Sequence, residues 1–310
     1  MGKTGIGNIA VIGAGLMGKM IAYVFSAKYP VCVYDVVTQD VESAIRNATK
    51  ELTEKGALTN DELEARLKRI RFTTKADDEA ITGADLMVEA VFEDMELKRN
   101  TFMQLERICR DDCIFCTNTS VMSPSEISRD LKYRERFAAT HFWNPAHLIP
   151  LVEVVMSDAT SAQTAQTVMD VLTGVGKKPV LCKKDVPGFI ANRLQHALWR
   201  EAIYMVENGI ADAKTVDDAC KYGPGLRWPV LGPMENSDLV GIELTYNIHN
   251  YVLKALADNH EPSHLLQEML DRGELGMKSG KGWQEWTPEQ AAEVDQRLRG
   301  HLAEYCAGKK

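Results

Sequence analysis

Apolar residues fall into two rhythms along this chain. In the first part, short unbroken apolar runs alternate with stretches in which apolar residues recur every three or four positions. The runs predict strands at 9–12, 31–36, 85–91, 113–118, 137–140, 151–155 and 179–182, and a helix over about 16–27. Residues from about 38 to 70 are charged and helical in pattern, which predicts a helical hairpin turning near Gly56. Apolar strands alternating with helices make a mostly parallel sheet with helices on both faces. After Asp185-Val186-Pro187-Gly188 the rhythm changes. Leu194, Leu198, Ala202 and Met205 recur at helical spacing, Gly209 reads as a helix stop, and few strand signals follow. The expected class is α/β: a doubly wound sheet over 1–184, then an all-α domain over 185–310.

One helix start is easily read. Ser123-Pro124-Ser125-Glu126 forms a capping box with Pro at the first helical position. It leaves Asn118-Thr119-Ser120 in the loop at the carboxyl end of a strand, the edge where open α/β sheets bind ligands. At that same edge, after the first strand, stands Gly13-Ala14-Gly15-Leu16-Met17-Gly18. This is Gly-x-Gly-x-x-Gly with a strand before it and a helix after it, as a Rossmann-like dinucleotide site requires. The first glycine permits a tight turn, the second lets backbone approach a pyrophosphate, and the third lets helix and strand pack closely. Asp35 ends the second strand about twenty residues further on, where a carboxylate accepts from ribose hydroxyls and repels a 2′-phosphate. No Arg follows it in Val36-Val37, so NAD is the expected cofactor.

Charge and composition narrow the rest. A formal net charge of −8 argues against non-specific binding to nucleic acid or to an anionic membrane. No apolar run is long enough to span a membrane, and no secretory signal opens the chain, so a cytoplasmic protein is expected. Seven cysteines, an odd number, fit reduced thiols. Cys113 and Cys116 form a lone Cys-x-x-Cys inside an apolar strand signal, which predicts buried packing and no metal.

An enzyme that removes hydride from an alcohol needs a base for the hydroxyl proton. His141 follows a predicted strand directly, and Glu153 lies on the next one, so two neighbouring parallel strands would bring them together. From spacing alone, a structural His–Glu pair fits as well as an acid–base pair.

The blocks VIGAGLMG, VEAVFEDMELKRNTF, TNTS, HFWNP, LVEVV, DVPGFIANR and GMKSGKGW resemble the 3-hydroxyacyl-CoA dehydrogenase family along nearly the full length. The resemblance implies that His141 is the catalytic base and Glu153 its partner. It places Ser120 and Asn192 by the reacting oxygen, and Ala90, Glu93, Lys98 and Asn144 on the cofactor. It also implies a homodimer built through the helical domain. Plainer roles stand beside these: a turn residue for Ser120, a helix cap for Asn192, a solvated surface charge for Lys98. His147 reads as structural, and Trp143 as packing or a substrate platform.

Three features depart from the acyl-CoA members of that family. Pro150 stands where they carry a basic residue before LVEV. On the helical hairpin, Glu51 and Lys55 occupy places where CoA-binding members carry lysines. The segment GPGLRWPVLGPMENSDLVG, 223–241, is longer than their loop and is similar to that of relatives acting on free acids: the gulonate dehydrogenase or lambda-crystallin group, carnitine dehydrogenase and a pyridine-carboxylate dehydrogenase. Arg227 in it offers a fork for a substrate carboxylate or, equally, half of a structural ion pair. The expected substrate is thus a small free 3-hydroxy acid, with a CoA thioester as the alternative. A third reading, a structural protein that binds NAD without turnover, is disfavoured by the intact set of His141, Glu153, Ser120 and Asn192.

Overall fold

The computed structural model describes residues 4–308. Two compact units divide it, one running to Ala191 and resuming at Arg297, the other Asn192–Gln296.

The first unit holds strands β1 (Ile9–Ile12), β2 (Val31–Tyr34), β3 (Ile70–Thr73), β4 (Leu86–Glu89), β5 (Ile114–Thr117), β6 (Phe137–Phe142), β7 (Leu151–Met156) and β8 (Lys178–Cys182). They form one sheet in the order β3-β2-β1-β4-β5-β6-β7-β8. Its helices are α1 (Leu16–Phe25), α2 (Val41–Glu54), α3 (Asn60–Leu67), α4 (Glu79–Thr82), α5 (Met95–Ile108), α6 (Pro124–Ile127) and α7 (Ala162–Gly174). Side chains alternate strictly across the sheet. Ile9, Val11, Leu86, Val88, Ile114 and Cys116 enter one core cluster, while Ala10, Ile12, Met87 and Phe115 enter the other. Both faces are therefore covered, which is why these strands read as continuous apolar runs. Each large side chain fully buried there contributes about 1.5–3 kcal/mol. The order reverses at β1, which pairs with β2 on one side and β4 on the other, opening a crevice at their carboxyl ends.

The structure corrects three expectations. Strand β3 was not foreseen: Ile70-Arg71-Phe72-Thr73 is a short edge strand with a half-exposed face, so its apolar signal is weak. His141 lies inside β6 rather than after it. The pairing of β6 with β7 is antiparallel, not parallel. Only residues 143–150 join them, and a parallel crossover needs a dozen or more residues. The compact division falls after Ala191, and the end of the last helix returns to the first unit. There Ala303 is buried in the first core cluster, Cys306 Sγ donates to the Leu148 carbonyl, and Glu304 pairs with Lys55.

The second unit is helical: α8 (Ala191–Glu207), α9 (Ala213–Tyr222), α10 (Pro233–Val240), α11 (Ile242–Val252), α12 (His264–Asp271) and α13 (Pro288–Ala307), the ends of α8 and α13 crossing into the first. Among the described residues, no helix is long and apolar enough to cross a membrane.

Candidate active site

The glycine loop has the shape its spacing predicts. Gly13 has φ +97°, and a Cβ there would lie 2.7 Å from the Ala90 carbonyl oxygen. A Cβ on Gly18 would overlap the Gly13 carbonyl oxygen, whereas nothing lies within 4 Å of one on Gly15. Two glycines thus close the packing of β1, β4 and α1, and the third faces open space. Gly15 caps α1 without a side-chain hydrogen bond, so the first amides of that helix are not satisfied by a capping side chain. Leu16 is exposed, Met17 half-buried and Gly18 buried. Asp35 is turned toward this loop, with Oδ2 accepting from Ala14 N–H at 2.7 Å and Oδ1 from Val37 N–H at 3.1 Å. Exposed apolar side chains stand at the same edge: Leu16 after β1, Val36 and Val37 after β2, Phe92 after β4 and Val121 after β5. Large flat ligands are held by apolar walls with a few placed polar groups. The residues present fit a dinucleotide, with open backbone for its phosphates, a carboxylate for its ribose and apolar surface for its rings.

Glu93 and Lys98 belong to a charge network beside that crevice. Lys98 is 0% exposed, so it is no solvated surface charge. Its ammonium donates to Glu89 Oε1 at 2.8 Å and the Val91 carbonyl at 3.4 Å, and lies 3.2 Å from Glu93 Oε2. These partners occupy all three of its donors. Glu93 Oε1 accepts from the Thr119 hydroxyl and from Ser120 N–H, so it anchors the loop that carries Ser120. Burial pushes the Glu89 carboxyl up, and Lys98, the Thr117 hydroxyl and Val91 N–H pull it back. Burial also opposes ionisation of Glu93, but Thr119, Lys98 and Ser120 outweigh it and its carboxyl is lowered.

His141 and Glu153 are directly opposed in the β6–β7 ladder. Cross-strand partners project to the same face of a sheet, and His141 Nδ1 lies 2.8 Å from Glu153 Oε2. Glu153 is 0% exposed yet saturated with donors. Oε2 also accepts from the Trp143 indole N–H at 3.1 Å, and Oε1 accepts from Ile190 N–H at 2.8 Å and Ala191 N–H at 2.9 Å. Burial raises the carboxyl, but His141, Ala191, Trp143 and Ile190 together outweigh burial and hold it at about 2. An ionised Glu153 accepts a hydrogen bond from Nδ1–H, which leaves the Nε2 lone pair as the basic site. The Phe189 ring, its centroid 5.8 Å from that of His141, closes one side.

The remaining candidates sit as follows. Ser120 is exposed at the carboxyl edge, and Ala90 is half-buried with its carbonyl against Gly13. Asn144 is exposed in the loop after β6. Asn192 is the second residue of α8, inside the helix and not its cap, and Arg227 is exposed in the second unit, in none of the ion pairs among the described residues. His147 is structural: its Nε2 lies 2.9 Å from the Ala48 carbonyl, and burial lowers its pKa to about 4. Cys113 and Cys116 are buried, and burial pushes the Cys116 thiol up to about 12.

Several participants escaped the sequence reading. Glu89 closes an apolar strand, and its only signal was a lone carboxylate nine positions before Lys98. Asn118 Oδ1 accepts from Phe142 N–H at 3.0 Å, tying the Ser120 loop to the end of β6. The Trp143 bond to Glu153 had no signal at all, since it depends on the antiparallel register.

Residues 8–186 match the family profile described as 3-hydroxyacyl-CoA dehydrogenase, NAD binding domain, and residues 188–286 match its C-terminal domain. The chain is 33% identical, over 92% of each sequence, to 5-formyl-3-hydroxy-2-methylpyridine 4-carboxylate 5-dehydrogenase of Mesorhizobium japonicum. It is 34% identical to mitochondrial hydroxyacyl-coenzyme A dehydrogenase of Homo sapiens, over 89% of this chain and 90% of the relative. A crystal structure of the pyridine carboxylate 5-dehydrogenase, described as an NAD+-dependent dismutase, superposes with a TM-score of 0.88 at 30% identity over 97% of both chains. That of (S)-3-hydroxybutyryl-CoA dehydrogenase from Ralstonia eutropha gives 0.76 at 28% identity, over 91% of this chain and 99% of the other.

Proposed function

Because the chain belongs to the NAD-dependent 3-hydroxyacyl-CoA dehydrogenase family, we propose that it oxidises the hydroxyl of a small, free L-3-hydroxy carboxylate to the ketone, with His141 as the base. The observation that carries the reading is the buried His141–Glu153 pair, with Nδ1 engaged and Glu153 held ionised. NAD, when bound, accepts the hydride. His141 Nε2 takes the hydroxyl proton, and Glu153 stabilises the imidazolium that results. Ser120 and Asn192 orient the reacting oxygen. Gly13, Gly15, Leu16, Met17, Gly18 and Asp35 hold the dinucleotide together with Ala90, Glu93 and Asn144, and Lys98 acts through Glu93. Asp35 favours NAD over NADP.

The free-acid choice is supported by the higher structural similarity to the pyridine carboxylate enzyme and by the state of the helical hairpin. Lys55, the remaining lysine there, is paired with Glu304 at 2.8 Å, and Glu51 would repel the phosphates of a CoA. Arg227 is assigned to the substrate carboxylate. Arg227→Met is expected to lower kcat/KM on free hydroxy acids about 10–150-fold, the loss of one charge-assisted contact of about 1.5–3 kcal/mol. Activity on a thioester should change little. The second reading, a CoA thioester, is favoured by the identity to the human enzyme. Fast reduction of acetoacetyl-CoA with no activity on free acids would establish it and remove the free-acid assignment.

We further propose a homodimer formed through the second unit, in a reducing cytoplasm. Among the described residues no cysteine is in a disulfide, and α8–α11 expose Leu194, Leu198, Trp199, Tyr246 and Tyr251 among other large apolar residues. So much apolar surface on one unit marks an association face. Sedimentation is expected to give a dimer at micromolar concentration; a stable monomer contradicts the assignment.

A further inference from the structure

Glu153 Oε2 is shared. His141 Nδ1 approaches it at 2.8 Å and the Trp143 indole nitrogen at 3.1 Å. Trp143 is half-buried, in the loop directly after β6, and its ring centroid is 5.7 Å from that of His141 at an interplanar angle of 49°. Indole N–H donates only, so this contact always draws on the carboxylate and never supplies it. The other oxygen is fixed by two backbone amides, Ile190 and Ala191, which no side-chain change removes. Among the described residues, His141 and Trp143 are the side chains that bond to Glu153.

We propose that Trp143 is a positioning residue of the acid–base pair: its indole N–H, seated on the oxygen that His141 Nδ1 also uses, sets how strongly Glu153 holds the imidazolium. The inference rests on the reading of His141 as the base, and goes beyond it by giving that base a regulator. Two donors on one oxygen divide its lone-pair density. With the indole in place, Glu153 orients the imidazole but grips its protonated form less tightly. Without the indole, the same carboxylate becomes a stronger acceptor for His141 alone.

His141 meets Glu153 from β7, Trp143 from the following loop and the Phe189 ring from the segment after β8, and on β6 itself its neighbours Thr140 and Phe142 do not titrate in this range. Among the described residues, Glu153 is the charged group paired with His141.

The test is an NMR titration of the His141 ring in the whole protein, with Trp143→Phe keeping an aromatic ring but losing the donor. The His141 midpoint is expected to rise by about half a pH unit or more, as follows when a hydrogen bond that competes for the charged partner is removed. The acid limb of kcat/KM for hydroxyl oxidation should move up by the same amount. A residue that only packs would leave both where they are, and a midpoint within about 0.2 unit of wild type overturns the proposal. If Trp143→Phe fails to fold, wild-type protein with ¹⁵N-labelled tryptophan serves instead. The Trp143 indole resonance should shift with the His141 midpoint, and an indole resonance indifferent to that titration overturns the proposal. Neither titration needs substrate, so a protein inactive on every hydroxy acid would still decide this coupling.

Discussion

Replacing His141 with Gln is expected to lower turnover about 10²–10⁴-fold, the usual loss on removing a general base, with NAD affinity nearly unchanged. The fold should tolerate the change. Glu153 would keep three of its four donors, the Trp143 indole and the Ile190 and Ala191 amides, so no buried carboxylate is stranded. The glycine loop and Asp35 lie on β1, α1 and β2, and none of their hydrogen bonds involves His141. Steady-state kinetics on the variant, with NAD binding measured separately, gives the result. A variant retaining more than about a tenth of wild-type turnover would take His141 out of the base role.

Lys98→Met is expected to destabilise the protein by about 3–5 kcal/mol, because it leaves a buried carboxylate without its counter-charge. Glu89 is 0% exposed and keeps only the Thr117 hydroxyl and Val91 N–H, bonded to its two oxygens at 2.6 and 2.7 Å. The deficit should depend on pH in a definite direction. Burial raises the Glu89 carboxyl in the folded chain, and losing Lys98 raises it further. A carboxyl whose folded value is raised favours the folded state while protonated, below its unfolded value of about 4.3. That support is lost as pH rises through the folded value. The gap between variant and wild type should thus be wide at neutral pH and narrow toward pH 4–5, about the unfolded value. Urea unfolding at several pH values measures it, and a gap that stays constant would mean that Glu89 is not charged against Lys98. Loosening of Glu93 should also free the Thr119–Ser120 loop, so the surviving folded variant should lose activity as well as stability.

Much of this site is legible in the sequence because its parts obey local rules. Gly13, Gly15 and Gly18 could be assigned before any coordinates, since a tight turn, an open approach and a close helix contact each demand glycine. Asp35 follows from strand length, and the Ser123 cap from its box, where Ser123 accepts from Glu126 N–H at 3.2 Å. What could not be read depends on pairing across the sheet. The sequence shows His141 and Glu153 twelve positions apart, but not that they oppose each other in an antiparallel ladder, although the short 143–150 connection excludes a parallel crossover. Glu89 and Lys98 show the same limit. A buried ion pair has no periodicity, and Lys98 on a charged helix looks like any solvated lysine until its neighbours are in place. The fold was clearest where strands are buried on both faces and least clear at the edge strand β3.

The central claim is that this site turns over, using NAD to oxidise a hydroxyl through His141. The most direct measurement is NADH absorbance on mixing the protein with NAD and a panel of L-3-hydroxy acids, supplied both free and as CoA thioesters, beside His141→Gln. NADH is expected with wild type on at least one member of the panel, and at least about 10²-fold more slowly with the variant. NAD binding without NADH from any member, or equal rates from the two proteins, would contradict the claim and leave a dinucleotide-binding protein in place of an enzyme.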